Sequence, residues 1–255
     1  MSTWKKVAIG IVGVVVAVIA GSFIYAKVIN KADAKLDQST VNSLLDGTTT
    51  APASTAPAST VADTSGAAST SAAPTTAAPS SGVDGTWNAA ADSVLGYRVK
   101  ESINGFATEA NGRTNAVTGS LTLQGSTATA ASFTVDMTTF KSDESRRDGQ
   151  FNGRIMSVAQ FPTATFTLTA PIDFKQVPAD GGTISASATG DLTLRGVTKS
   201  VTFDLSATYK NGRIAVLGNI PVVFADYGIP NPSIATIVTQ DNGLLEFVLV
   251  FDRAA

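Results

Sequence analysis

The chain has 255 residues and a net charge of −2, and it contains neither His nor Cys. A Ser-His-Asp relay, a thiolate nucleophile, disulfides and a zinc site built on His or Cys are therefore excluded. A nucleic-acid surface would need clustered Lys and Arg, so no nucleic-acid partner is expected. We predict no enzyme activity, no cofactor and no metal site.

The first predicted element is a membrane-spanning helix. Val7 to Tyr25 is uncharged and mostly aliphatic, and a helix of this length reaches about 30 Å, the thickness of a bilayer's hydrocarbon core. Trp4 and Tyr25 flank the stretch as interfacial anchors do. A cleaved signal peptide is the alternative, although no clean small-x-small cleavage site follows. We assign residues 1–30 to a single-pass anchor.

Residues 31–82 are predicted to be a disordered linker. From Asp46 to Gly82 the chain is almost entirely Thr, Ala, Ser and Pro, which cannot bury enough apolar surface to offset the entropy of ordering. This composition is typical of stalks that are O-glycosylated outside the cytoplasm, and a plain flexible linker is the alternative. As a coil it would span roughly 35 Å. We expect a cell-membrane protein whose folded domain, 83–255, is extracytoplasmic.

The folded domain has an all-β, antiparallel pattern. Short stretches with alternating apolar residues are separated by turn signals such as Asn211-Gly212. The predicted strands are Val94–Ser102, Val117–Leu123, Ala131–Phe140, Thr163–Phe174, Ile184–Leu194, Val197–Tyr209, Arg213–Phe224 and Leu244–Asp252. Ser142–Ala159 breaks the alternation and predicts one or two short helices, with Ser142 as the N-cap. Eight such strands form either a sandwich or a closed barrel, and the pattern alone does not choose.

Four segments resemble the YceI-like family of exported, lipocalin-like proteins. They are Thr86–Val99, which ends in SVLGYRV; Ser145–Phe161, which contains RRDGQF and leads into the turn FPTATF; Gly190–Val201, GDLTLRGVTKSV; and Asp226–Ile229, DYGI. The resemblance implies an eight-stranded lipocalin-like barrel that holds a long isoprenoid chain, and it favours the barrel over the sandwich.

The resemblance also implies that inward apolar side chains line a tunnel for a polyisoprenoid or similar long-chain lipid, whereas a filled core is the alternative. The candidate ligand-binding residues are Tyr97, Val99, Phe133, Val135, Met137, Arg146, Phe151, Phe166, Leu168, Leu192, Leu194, Val201, Phe203, Leu205, Phe247, Leu249 and Phe251.

Polar candidates are few. Arg146, Arg147 and Asp148 could meet a phosphate or quinone oxygen at the tunnel mouth, since the guanidinium fork suits phosphate. The alternative is an ion pair that locks the helix onto the barrel. Arg195 is expected to satisfy carbonyls in its turn, and Asp226 to cap a turn or pair with an Arg.

The last predicted strand is apolar on both faces, because Val248 and Val250 alternate with Phe247, Leu249 and Phe251. Either a helix packed outside the barrel or a homodimer contact would explain this pattern. The leading functional hypothesis is a membrane-tethered protein that carries or sequesters a lipid. The alternatives are an interaction module with a filled barrel that contacts cell-envelope partners, and an enzyme acting on isoprenoid lipids.

Overall fold

The computed structural model describes residues 17–24, 32–47 and 82–254, and within these ranges the strands form one antiparallel sheet. The strands are β1 Gly85–Ala89, β2 Val94–Ile103, β3 Phe106–Thr114, β4 Val117–Gln124, β5 Thr127–Asp136, β6 Thr163–Leu168, β7 Ile172–Asp173, β8 Thr183–Leu194, β9 Val197–Lys210, β10 Arg213–Val223, β11 Ile237–Thr239 and β12 Asn242–Arg253. The helices are α1 Gln38–Leu45 and α2 Ser145–Gln150; a π-helical turn, Phe151–Ile155, continues α2. Residues 17–24 are also helical.

The sheet closes into a barrel. Its strands run in the order β1-β4-β5-β6-β8-β9-β10-β12, and β12 pairs back with β1, where Ala89 lies opposite Phe251. The closed eight-stranded antiparallel barrel is therefore confirmed, and the sandwich is excluded. β12 also pairs with β2, so that β2, β3 and β11 widen this side of the wall.

Several predicted boundaries were wrong. Strand β5 ends at Asp136 instead of Phe140, because the Asp136 carboxylate accepts a hydrogen bond from the Thr138 amide and starts a 3-10 turn. The predicted strand Thr163–Phe174 is divided into β6 and β7. Glu144, and not Ser142, is the N-cap of α2, since its carboxylate accepts from the Arg146 amide.

The barrel has two different ends. The first, which we call the helix end, carries α2, the β2–β3 and β8–β9 turns and the loop after β10; the Arg154 guanidinium of the π-turn donates to the Asn231 carbonyl of that loop at 3.0 Å. The opposite end carries the β4–β5 and β9–β10 turns and the segment between β7 and β8. There the Asn211 amide donates to the Asp180 carboxylate at 2.8 Å.

Residues 32–47, which we call the N-terminal strap, run along the outside of the barrel. In α1 and just before it, Leu36, Val41, Leu44 and Leu45 form a second apolar core against β10 and β12, distinct from the barrel interior. This core completely buries Val248 and Val250 of β12. Assigning the linker from residue 31 onward was therefore wrong for the strap. A helix packed outside explains the two apolar faces of β12, so that pattern does not require a homodimer.

A buried ionic cluster clamps the strap to β2, β3 and β12. Glu246 on the outer face of β12 is fully buried, and it accepts two hydrogen bonds from Arg98, both at 3.1 Å, and one from Arg113 at 3.0 Å. Arg98 also donates to the backbone carbonyl of Asp33 in the strap at 2.8 Å. Asn111 completes the contact by exchanging two hydrogen bonds with Asp33, each 3.0 Å long.

The charges in this cluster depend on one another. Burial acts to lower the pKa of Arg98, but the hydrogen bonds and charges of Glu246 and Glu109 outweigh it, so that the pKa of Arg98 is raised. Removing one member of a buried ion pair leaves an uncompensated charge and is strongly destabilising. The strap is thus fixed to the barrel by apolar packing along α1 and by charge at its start.

The predicted membrane anchor, Val7 to Tyr25, lies outside the described residues except for 17–24. No helix in the described ranges has the length and apolar character needed to cross a membrane. The linker residues 48–81 also lie outside them.

Candidate functional site

The barrel encloses a cavity of about 600 Å³, within the range of about 300–1,000 Å³ that is usual for small-molecule sites. Because side chains alternate along each strand, one face of every barrel strand points inward, and these faces are predominantly aliphatic and aromatic. The cavity wall reaches Ile234 at the helix end and Val177 at the opposite end. The bore is therefore hollow and apolar along its length, and not a filled core.

The structure places the candidate ligand-binding residues on this wall, with Val201 as the exception. The residues that line the cavity are Tyr97, Val99, Phe133, Val135, Met137, Arg146, Phe151, Phe166, Leu168, Leu192, Leu194, Phe203, Leu205, Phe247, Leu249 and Phe251. Val201, opposite Gly190 in the β8–β9 pairing, is partly buried against the core but does not reach the cavity. That these residues bind a ligand stays a prediction.

Glycines beside aromatic residues keep the bore open. Phe247 lies across from Gly218, Tyr97 across from Gly112 and Phe133 across from Gly119 in the strand pairings. A Cβ at position 112 would come within 2.6 Å of the Tyr97 ring, and one at 218 would overlap the ring of Phe247. The missing side chains let these rings lie against the wall, where bulkier partners would push them toward the centre.

The rings along the wall also support one another. Phe203 meets Phe166 edge to face at 5.6 Å between centroids and Phe247 at 5.9 Å. Edge-to-face aromatic pairs are favourable beyond the area they bury. This aromatic row therefore gives the cavity a fixed, rigid side.

An aromatic group narrows the helix end of the cavity. The Tyr97 ring stacks on Phe151 at 4.8 Å, and Phe140 lies 5.1 Å from Phe151. Burial raises the pKa of Tyr97 well above its ordinary value, because the apolar surroundings disfavour the phenolate. Phe151, at the junction of α2 and the π-turn, thereby couples the helix to the wall.

Polar groups are concentrated at this same end. Arg147 pairs with Asp143, which lies just before α2, and is 3.8 Å from Glu101 of β2, while Asp148 accepts hydrogen bonds from the amide and hydroxyl of Ser142. These contacts lock α2 to β2 and to its own N-terminal turn. Arg146 is exposed, lines the cavity and forms no ion pair among the described residues.

Arg195 connects three of the segments that carried the family resemblance. Its guanidinium donates to the Gly228 carbonyl and to the Ser157 hydroxyl, and it lies over the Phe161 ring at 5.9 Å. The prediction that Arg195 satisfies carbonyls in its own turn was therefore wrong. The carbonyl that it satisfies belongs to Gly228, in a different loop of the helix end. Asp226 lies in the 3-10 turn Phe224–Tyr227 and forms no ion pair with an arginine within the described ranges.

Sequence reasoning missed part of the cavity wall. Pro232, Ile234 and Ile237, from the loop after β10 and from β11, line the helix end, while Phe174 and Val177 line the opposite end. These residues lie in irregular segments or in a strand of three residues. No alternating pattern marks them, although their apolar character within polar loops was a usable signal.

The comparisons with known proteins agree with this geometry. A family model described as "YceI-like domain" matches residues 87–251. A polyisoprenoid-binding domain from Saccharophagus degradans has a similar structure (TM-score 0.54, 19% identity, 66% of this chain and 98% of that one). BcnA from Burkholderia cenocepacia is also similar (TM-score 0.51, 19% identity, 63% and 96%). Comparison with curated protein sequences gives no match. Because the family model covers well over half of the sequence, the chain belongs to the YceI-like family.

Proposed function

We propose that this protein binds a polyisoprenoid or similar long-chain lipid in its barrel, and that it carries or sequesters this lipid while tethered to a membrane. The observation that carries the proposal is the continuous apolar cavity of about 600 Å³. The structural similarity to a polyisoprenoid-binding domain supports the choice of lipid.

The energetics of such binding need almost no polar contacts. A buried carbon contributes about 0.8 kcal/mol, so each isoprene unit contributes about 4 kcal/mol. A few units therefore offset the cost of immobilising the ligand and ordering its chain. Arg146 at the helix end would meet the polar end of the lipid, since its side chain borders the cavity without an ion-pair partner in the described residues.

The tether is the sequence Val7 to Tyr25, whose length and apolar character suit a single membrane span. We place the barrel on the extracytoplasmic side, on the basis of the Thr-, Ala-, Ser- and Pro-rich linker.

The alternative functions have less support. An interaction module would use a filled barrel and a bare outer face of β12, but the barrel is hollow and α1 covers that face. An enzyme would need chemistry from Arg146, Arg147 or Asp148, and the last two are engaged in holding α2. The hollow apolar cavity therefore favours a protein that binds a lipid without chemically changing it.

The test is to purify the full-length chain in detergent from its native host, extract it with organic solvent and analyse the extract by mass spectrometry. We expect a prenyl lipid in stoichiometric amount. Delipidated protein should then take up a prenyl alcohol in preference to a straight-chain alcohol of equal carbon number. Folded, delipidated protein that takes up neither alcohol would contradict the proposal.

A further inference from the structure

An exposed apolar patch lies beside the helix end of the cavity. Outside the segment 17–24, the most exposed large apolar side chains in the described residues are Val238 at 61% and Ile234 at 51%. Within 17–24, Val18, Ile19, Phe23 and Ile24 are exposed to a similar degree. We call these six residues the rim patch.

The two parts of the rim patch adjoin the same turn. The Phe23 ring packs edge to face on Phe106, which follows the β2–β3 turn, at 5.6 Å between centroids. Asn104 in that turn donates from its side chain to the Ser22 hydroxyl at 2.8 Å and from its amide to the Thr236 carbonyl at 3.0 Å. The helical segment and the β11 region therefore form one surface.

This surface is continuous with the cavity. Ile234 is half exposed and also lines the bore. Its neighbours Pro232 and Ile237 line the bore as well. The Arg154 guanidinium holds the loop by donating to the Asn231 and Pro232 carbonyls at 3.0 and 2.9 Å, and it forms no ion pair with a carboxylate in the described part of the chain. Arg154 thus places a positive charge beside exposed apolar side chains, and both groups favour contact with an anionic lipid surface.

The sequence before and after segment 17–24 indicates what the rim patch contacts. The apolar stretch from Val7 runs into the helical segment 17–24, and the strap that follows is clamped to the barrel at Asp33. Residues 17–24, the described part of this apolar stretch, are thus held beside the helix end of the cavity. A lipid surface fits this arrangement better than a second copy of the chain, because it also matches the neighbouring bore.

We propose that the rim patch docks on the surface of a lipid bilayer, so that the cavity opens toward the membrane and lipid passes between them without crossing water. This inference rests on the proposed function. It adds an orientation, with the helix end toward the bilayer and the β4–β5 and β9–β10 turns away from it.

The absence of cysteine makes a direct test possible. Full-length Val238→Cys and Ala179→Cys proteins would each be labelled with a small fluorophore and reconstituted into vesicles of phosphatidylcholine and phosphatidylglycerol in equal parts. Ala179 is the control because it is exposed at the opposite end and does not line the cavity. We expect the label at 238 to be shielded from iodide and quenched by nitroxide-labelled acyl chains, and the label at 179 to stay accessible to iodide.

Two results would overturn the proposal. The label at 238 could be as accessible to iodide as the label at 179, or donor- and acceptor-labelled copies could show energy transfer between their 238 positions at a low protein-to-lipid ratio, which would indicate a second copy of the chain on the patch. Both readouts are independent of whether the purified protein contains lipid.

A charge substitution separates this inference from the proposed function. Val238→Asp should keep the extracted lipid, since Val238 does not line the cavity, but should slow lipid transfer between vesicles about tenfold, as expected for losing a half-buried aliphatic contact. Ala179→Asp, at an exposed position at the opposite end, is the control and should transfer lipid normally. Unchanged transfer with retained lipid would reject the docking surface alone, whereas wild-type protein without lipid would reject the proposed function.

Discussion

The substitution Gly218→Ala tests the hollow bore with a single methyl group. Gly218 on β10 lies across from Phe247 on β12, and a Cβ at 218 would come within 3.0 Å of one ring carbon and closer still to another. The backbone at 218 is not in the left-handed region, so alanine adds bulk without backbone strain. The Phe247 ring must therefore move off the wall, and the space open to it is the cavity.

The expected loss of affinity follows from size. A phenyl ring and an isoprene unit are similar in bulk, so a ring turned into the bore displaces about one unit, worth about 4 kcal/mol. Burial energies of this kind are upper values, which gives an increase in the Kd for a prenyl lipid of about a hundredfold to a thousandfold. The cost in stability is smaller, about 1–3 kcal/mol for overpacking.

The assay is the titration of delipidated protein with a fluorescent prenyl alcohol, together with thermal unfolding of the same samples. Gly149→Ala is the matched control, because Gly149 is exposed on α2 and a Cβ there meets nothing within 4 Å. The double variant Gly218→Ala/Phe247→Leu should recover most of the affinity, because the smaller leucine side chain restores the cavity volume that the displaced ring had filled. Unchanged affinity in Gly218→Ala, with the fold intact, would refute the idea that glycines hold the bore open.

Other substitutions test the parts that hold the barrel and its strap. Glu246→Gln removes the charge between two arginines and should destabilise the fold by about 3–5 kcal/mol, seen as a lower midpoint in thermal unfolding; the exposed Asp173→Asn should leave that midpoint unchanged. Asp37 caps α1, and hydrogen bonds from Ser39 and Thr40 lower its pKa. Its stabilisation is therefore present above the ordinary value of 3.8 and is lost as the pH falls through the lower, folded value. The protection of the α1 amides against hydrogen exchange, corrected for the intrinsic exchange rate at each pH, should fall as the pH drops through that value in the wild type but not in Asp37→Asn, which keeps a cap without the charge. Arg195→Met should cost about 1.5–3 kcal/mol and make the loop after β10 more sensitive to protease, whereas equal protease sensitivity would contradict the role given to Arg195.

The barrel strands could be predicted because their apolar residues alternate. The inward faces of β5, β9 and β12 follow directly from that period, and the second apolar face of β12 predicted a covering partner, either a helix or a second copy of the chain. Strand β3 was missed since its sequence, FATEANGRT, has no apolar alternation. Asn111 and its neighbours are buried under the strap, so their burial leaves no apolar pattern in the sequence of β3.

Features that depend on register could not be seen in the sequence. Arg98 and Glu246 are 148 positions apart, and only the pairing of β2 with β12 brings them together. The pairing of Gly218 with Phe247 has the same origin, because nothing local marks this glycine. The strap was predictable in part, since Asp37 is a good N-cap and Val41, Leu44 and Leu45 have helical spacing.

The clamped strap changes what the long Thr- and Pro-rich segment can do. The chain leaves the barrel beside the Lys210–Asp46 ion pair and returns beside the Asp84–Gly125 hydrogen bond, both at the opposite end. That segment therefore begins and ends on one body and cannot act as a spacer between the barrel and residues 17–24. The position of residues 17–24 relative to the barrel is set instead by their contacts with the β2–β3 turn, where Phe23 packs on Phe106 and Ser22 accepts a hydrogen bond from Asn104. The segment can then be longer or shorter without moving the barrel relative to residues 17–24, and at little cost, because closure entropy grows only slowly with length.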